Sequence, residues 1–103
     1  MNLRYTDAAV FDLKAIHRFL SVNSPQTLSG FRGRLEEIER HLLSHPDAAP
    51  AVDGRPGVRV IFFVKYPYRM FYRIVGDAVD ILHIRHVRAG LGSRLILPKE
   101  RTI

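Results

Sequence analysis

At 103 residues, 47% of them apolar, and with a net charge of +6, the chain has the size and composition of one compact domain covering 1–103. It has no cysteine, which excludes disulfide frameworks, thiolate zinc sites and cysteine nucleophiles; its apolar runs, such as Val60 to Val64, fall far short of the roughly 20 residues of a membrane helix, and "MNLRYTDA" holds no signal-peptide core, so a soluble cytoplasmic protein is expected. The charge is uneven: residues 1 to 50 hold six Lys/Arg against six Asp/Glu and residues 51 to 103 hold ten against four, mostly arginine, which implies an acidic protein partner or a polyanion.

In chain order, Leu3 and Tyr5 suit a short first strand, and Thr6 is an N-cap for a helix over about 7–21, with Asp7 favourable at its positive end. Ala9, Leu13, Ile16 and Leu20 give that helix one apolar stripe, with Phe19 beside them. In "NSPQ", Ser24 caps a second helix and Pro25 takes its first position, where the missing N–H costs nothing. Leu28, Phe31, Leu35, Ile38 and Leu42 step by 3, 4, 3 and 4, a seam that pairs this helix with its antiparallel neighbour in a helical hairpin over about 7–45. The helix stops before Pro46, and "PDAAPAVDGRPG" is a loop on local chemistry alone.

Three β-rich runs follow, Val58 to Lys65, Arg69 to Val75 and Val79 to Val87, separated by "YP" and "GDA" turn signals, which predicts an antiparallel meander over about 58–88 and a tail over 89–103. Alternation puts Val58, Val60, Phe62 and Val64 on one face of the first run and Arg59 and Lys65 on the other; in the second run Met70, Tyr72 and Ile74 oppose Arg69, Phe71 and Arg73. Laying the hairpin over the apolar side leaves a surface on which Arg59, Arg69 and Arg73 are expected to converge. The third run, with Ile81, Leu82 and Ile84 apolar on both sides, is expected to be central. The fold class is α+β: a short N-terminal strand and a helical hairpin packed on a C-terminal antiparallel β-meander.

The order and spacing of "DLKAIHRFL", "SPQTLSGFRGRLEEIERHLLSHP", "GVRVIFFVKYPYRMFYRI" and "VDILHIRHVRAG" resemble the RelE/ParE superfamily of toxins from bacterial type II toxin–antitoxin modules, and most of all its ParE branch. The resemblance covers about residues 5 to 90. It implies the same fold and a ParD-like antitoxin partner, whose acidic, partly disordered C-terminal segment suits a basic groove with an apolar floor. Arg59, Arg69, Phe71 and Arg73 are the expected antitoxin contacts.

The superfamily divides on the target. ParE-type members are described as poisons of DNA gyrase, and RelE-type members as ribosome-dependent mRNA endoribonucleases. RNA cleavage needs a general base, a general acid and cations at the phosphate. Arg59, Arg69, Arg73, Arg85 and Arg88 are candidates for the last role, but RelE-like nucleases tend to carry a tyrosine near the C-terminus, and the last tyrosine here is Tyr72. This departure favours plasmid stabilisation through a gyrase poison that is not itself an enzyme. In that reading Arg88, Arg94, Leu95, Ile96 and Leu97 form the target contact. The nuclease alternative rests on His86, with Arg59, Arg73 and Arg85 around it.

A third class, single-strand binding through Tyr66, Tyr68 and Phe71, is disfavoured because "YPYR" reads as a turn entering a strand. No metal or cofactor is expected. His83 and His86 point to opposite faces of a strand, His41 and His45 lack a third ligand, and Gly90 and Gly92 complete no phosphate loop. Asp12 reads as a residue of the helix surface or of its contact with the sheet.

Overall fold

The computed structural model describes residues 1–88, so the tail 89–103 lies outside the described residues. The elements run β1 (Asn2–Tyr5), α1 (Asp7–Asn23), α2 (Pro25–Ser44), β2 (Val58–Phe62), β3 (Tyr68–Val75) and β4 (Ala78–His86). Among the described residues no helix is long and apolar enough to cross a membrane.

Thr6 caps α1 by accepting the Ala9 N–H at 3.1 Å. Ser24 occupies the corresponding place before α2 with Pro25 at N1, but its side chain makes no bond to the backbone and instead meets the Thr27 hydroxyl at 2.6 Å. Ala9, Ile16 and Leu20 of α1 and Phe31, Leu35, Ile38 and Leu42 of α2 are buried against one face of the sheet. Phe31 is the aromatic centre of that core, stacked on Phe63 with centroids 5.2 Å apart and meeting Tyr68 edge-on at 5.3 Å.

The sheet order is β1-β4-β3-β2, with β1 parallel to β4 and the other pairs antiparallel. β4 is central, as its two-sided apolar run implies. A register shift at Phe71/Tyr72 sets both Ile81 and His83 opposite consecutive β3 residues, which leaves Leu82 as the extra residue and explains why this strand does not alternate. Gly76, at φ 62°, makes the two-residue β3–β4 turn, where the first central position requires positive φ.

The orientation of β2 corrects the sequence reading. Val58, Val60 and Phe62 lie opposite Arg73, Phe71 and Arg69, on the face away from the helices, whereas Arg59 and Ile61 lie opposite Tyr72 and Met70, on the helix-covered face. The strand also ends at Phe62 and not at Lys65. Val64 adopts φ 67°, a left-handed conformation unfavourable for a β-branched residue, and the chain turns there. Arg34 holds the turn by donating from Nε to the Phe63 carbonyl at 3.0 Å.

The loop after α2 wraps the outer edge of β2. Val60 N–H donates to the Pro50 carbonyl and Val52 N–H to the Val58 carbonyl, at 3.1 and 2.8 Å, so this edge is covered by the chain itself.

Candidate functional site

The sheet has two unlike faces. On the closed face, under the helices, Tyr68 and Tyr72 are buried in the core, and the Tyr72 hydroxyl donates to the Pro46 carbonyl at 2.7 Å. Tyr5 donates to Glu39 at 2.5 Å. Burial raises the phenol pKa of all three above its ordinary value, and for Tyr5 the neighbouring Glu39 carboxylate adds to the effect.

On the open face, β3 and β4 set cations and rings side by side. Arg69 lies opposite Arg85, Phe71 opposite His83, and Arg73 opposite Asp80. The period of two places Arg69, Phe71 and Arg73 in one row, about 7 Å from one to the next. Phe71 is buried with Val58 and Leu82, and Val52 and Val60 complete a small apolar floor. The Arg69 guanidinium lies 5.6 Å from the Phe71 ring centroid, within range of a cation–π contact. Arg73 is exposed, and the carboxylate opposite it is already engaged by Arg4, at 2.8 Å from Asp80.

Two like charges in direct register repel, and the nearest compensation is thin. Asp12, reaching from α1, accepts the Ile84 N–H at 3.1 Å, lies 3.0 Å from His83 Nδ1, and comes only to 3.8 Å from Arg85 Nε. Arg85 Nη2 also lies 3.2 Å from His83 Nδ1. That nitrogen either donates to Asp12 or accepts from Arg85, so one of these two contacts goes without its hydrogen bond. The Nε atoms of Arg69 and Arg85 are both buried without a hydrogen-bond partner. The open face is a concentration of incompletely satisfied positive charge, suited to carboxylate or phosphate groups.

The expected site residues divide between the faces. Arg69, Phe71, Arg73 and Arg85 are together on the open face. Arg59 does not converge with them; its position opposite Tyr72 turns it to the closed side, where Nη1 donates to the Ala49 carbonyl at 2.7 Å. His86 lies opposite Tyr68, on the closed side, with its ring edge-on to that tyrosine at 5.4 Å and its Nδ1 accepting the Arg88 N–H at 3.0 Å. The set His86, Arg59, Arg73 and Arg85 is therefore not assembled. Tyr66 packs edge-on to Phe31, so Tyr66 and Tyr68 do not share a surface with Phe71. Arg88 is exposed at the end of β4; Arg94, Leu95, Ile96 and Leu97 lie outside the described residues.

His83 is a further open-face residue, and the signal for it is alternation from the buried Ile84, which puts it beside Arg85. Its link to Asp12, 71 positions away, has no local signal. His41 and His45 stack at 5.1 Å at the end of α2, and among the described residues no three His, Asp or Glu side chains gather as metal ligands.

The family profile of the ParE toxin of type II toxin-antitoxin system, parDE, matches residues 3–89. Among solved structures, a chain of the chromosomal ParDE toxin–antitoxin system from P. aeruginosa is 23% identical, with 84% of this chain and 95% of that chain covered and a TM-score of 0.60. A YoeB/ParE toxin from Agrobacterium tumefaciens is 16% identical over 84% of this chain and 98% of that one, with a TM-score of 0.59. A mutant of the E. coli toxin RelE, in complex with a peptide of its antitoxin RelB, is 16% identical over 99% of this chain and 97% of that one, with a TM-score of 0.63. Among curated proteins, none matches the sequence.

Proposed function

The chain belongs to the ParE toxin family of type II toxin–antitoxin systems, and from that premise we propose that it is a gyrase-directed toxin held inactive by a ParD-like antitoxin. The family match across residues 3–89 carries this reading. The arrangement of the sheet supports it: Arg69, Arg73 and Arg85 gather on the open face, while His86, the proton-transfer candidate of the expected nuclease set, lies on the other side of the sheet. Gyrase poisoning needs a binding surface and no acid–base pair.

In this reading the open face receives the antitoxin. Arg69 and Arg73 take its carboxylates, Phe71 and its neighbours supply the apolar floor, and Arg59 serves from beneath by holding the loop that borders β2. Target contact falls to Arg88 and to Arg94, Leu95, Ile96 and Leu97. Gyrase is cytoplasmic, so the protein acts there, without metal or cofactor.

The experiment is a gyrase assay on supercoiled plasmid with purified, antitoxin-free protein. Linear DNA covalently trapped on gyrase is the expected product, and truncation after Gly90 should abolish it. Absence of linear DNA with a folded protein would overturn the gyrase target.

A second reading, ribosome-dependent mRNA cleavage, draws on one observation: His83, oriented by Asp12 at 3.0 Å, shares the open face with Arg85 and Arg69. There a histidine adjoins groups able to bind phosphate, the role expected of His86. Under this reading His83→Ala ends toxicity and mRNA cleavage in a translating extract; under the gyrase reading the variant keeps trapping linear DNA.

A further inference from the structure

His86 stands apart from the arginines of the open face, and its own surroundings give it a different task. Strand β4 ends at His86, and the backbone passes from extended to helical at Val87 and Arg88. The first N–H groups of a helical stretch have no partner within it and must find one outside. Both are met here. Val87 N–H donates to the Pro67 carbonyl at 2.8 Å, and Arg88 N–H donates to Nδ1 of the His86 ring at 3.0 Å. The second bond joins a side chain to the N–H two residues on, which is the geometry of an N-cap.

The residues preferred for that place are Asn, Asp, Ser and Thr; a histidine adds a ring. That ring lies edge-on to Tyr68 at 5.4 Å, and Tyr68, only 5% exposed, is itself edge-on to Phe31 and Phe63 at 5.3 and 6.3 Å. A row of rings therefore runs from the centre of the core to the last residue of β4. An asparagine at 86 could cap but not reach this seat, and a phenylalanine could pack but not accept. Histidine does both. Because Nδ1 accepts from an amide, the neutral ring carries its proton on Nε2.

We propose that His86 is a positioning residue: anchored on Tyr68 and capping the Arg88 N–H, it fixes the direction in which the chain leaves the sheet and so presents the exposed Arg88 to the target. The inference rests on the reading above that target contact begins at Arg88. It does not require His86 to touch the target or to transfer a proton. Pro67, which holds Val87, belongs to the turn that enters β3, so that turn also clamps the end of β4. An exit held at two amides and one ring has less freedom to lose on binding than a free one, and the cap acts on target affinity by that preorganisation.

Two substitutions in the full-length toxin divide the ring between its two parts. His86→Asn keeps an acceptor for the Arg88 N–H and gives up the ring; His86→Phe keeps a ring against Tyr68 and gives up the acceptor. The antitoxin-free proteins are compared for linear DNA trapped on gyrase and for growth arrest on expression, with thermal unfolding to show that each is folded. His86→Asn should stay within about twofold of wild type in both assays, and His86→Phe should lose about fivefold or more, the factor that one lost cap corresponds to. The thermal transition should move the other way, lower in His86→Asn for want of the ring contact and near wild type in His86→Phe. Activity opposed to stability is a result that a merely structural histidine does not produce. NMR of the wild-type ring nitrogens at mildly alkaline pH should place the proton on Nε2, and a proton on Nδ1 would overturn the cap. A His86→Phe toxin as active as wild type would overturn the proposal, and so would two folded variants both inactive, which would give the imidazole a chemical role at the target. A wild type that arrests growth without trapping linear DNA would remove the gyrase reading and leave the cap to be decided by growth arrest. One that does neither would remove both.

Discussion

The two faces of the sheet are built from the same strands and follow opposite rules. On the closed face the groups that could be polar are matched: the Tyr72 hydroxyl to the Pro46 carbonyl, Tyr5 to Glu39, Arg59 to the Ala49 carbonyl. On the open face Arg69 stands against Arg85, and an Nε of each is buried without a partner. One face maximises stability; the other keeps charge in reserve. Elsewhere the sheet does pair an arginine with a carboxylate, Arg4 with Asp80, so the mismatch of Arg69 and Arg85 supports the proposed reading of the open face as a binding surface.

The closed face should therefore be the costly one to damage. Phe31→Ala removes the ring that stacks on Phe63 and meets Tyr68 and Tyr66, in a site only 1% exposed. A loss of about 3–5 kcal/mol is expected in urea unfolding, a large share of the roughly 5–15 kcal/mol that holds a domain together.

Alkaline pH should attack the same face without any mutation. The folded-state pKa values of Tyr5, Tyr68 and Tyr72 are raised, by burial first, above the ordinary value of 10.0. Below that pH both states are protonated and their contribution is whole. Above it the unfolded chain releases phenol protons that the folded chain retains, so stability falls as pH rises. Urea midpoints measured from pH 8 to 11 should stay level to about pH 10 and then decline. In Tyr5→Phe the decline should be shallower, since one of the three groups is gone.

Asp12 joins the two faces. It accepts the Ile84 N–H on the part of β4 that β1 does not cover, the pairing of β1 ending at Ile81. Asp12→Ala leaves that amide without its acceptor and removes the carboxylate 3.0 Å from His83 and 3.8 Å from Arg85, so a loss of about 1–3 kcal/mol is expected from chemical denaturation. Asp12→Asn, which can still accept the amide hydrogen, should retain more of the stability and separate the hydrogen bond from the charge.

How much of this was legible in the sequence follows from the range of each signal. The helices, the Ser24-Pro25 start, the loop from Pro46 and the central place of β4 rest on periodicity and turn chemistry within a few residues, and they were readable. The orientation of β2 was not. "VRVIFF" is apolar on both faces, so alternation identifies a strand without saying which side the helices take; the pairing of Ile61 with Met70 and the burial of Phe63 decide it. That one ambiguity moved Arg59 to the wrong face. The parallel pairing of β1 with β4 and the reach of Asp12 to His83 join residues more than 70 positions apart, and no local pattern encodes them. The outward side of α1 was half visible: Phe19 stood out beside the core positions, but only packing shows that it faces outward.

The smallest change in stability is expected where the sequence is most conspicuous. Arg69→Gln removes a positive charge directly opposite Arg85, together with a guanidinium whose Nε has no partner, and what it gives up is the 5.6 Å contact with the Phe71 ring. Relief of like-charge repulsion and loss of a half-exposed cation–π contact are each of order 0.5–1 kcal/mol and opposite in sign. The urea midpoint should thus move by less than the equivalent of about 0.5 kcal/mol, while affinity for the antitoxin falls at least about tenfold. A loss of stability above about 1 kcal/mol would instead make the Arg69–Phe71 contact part of the fold. The contrast between the faces would then narrow to Arg73 and Arg85.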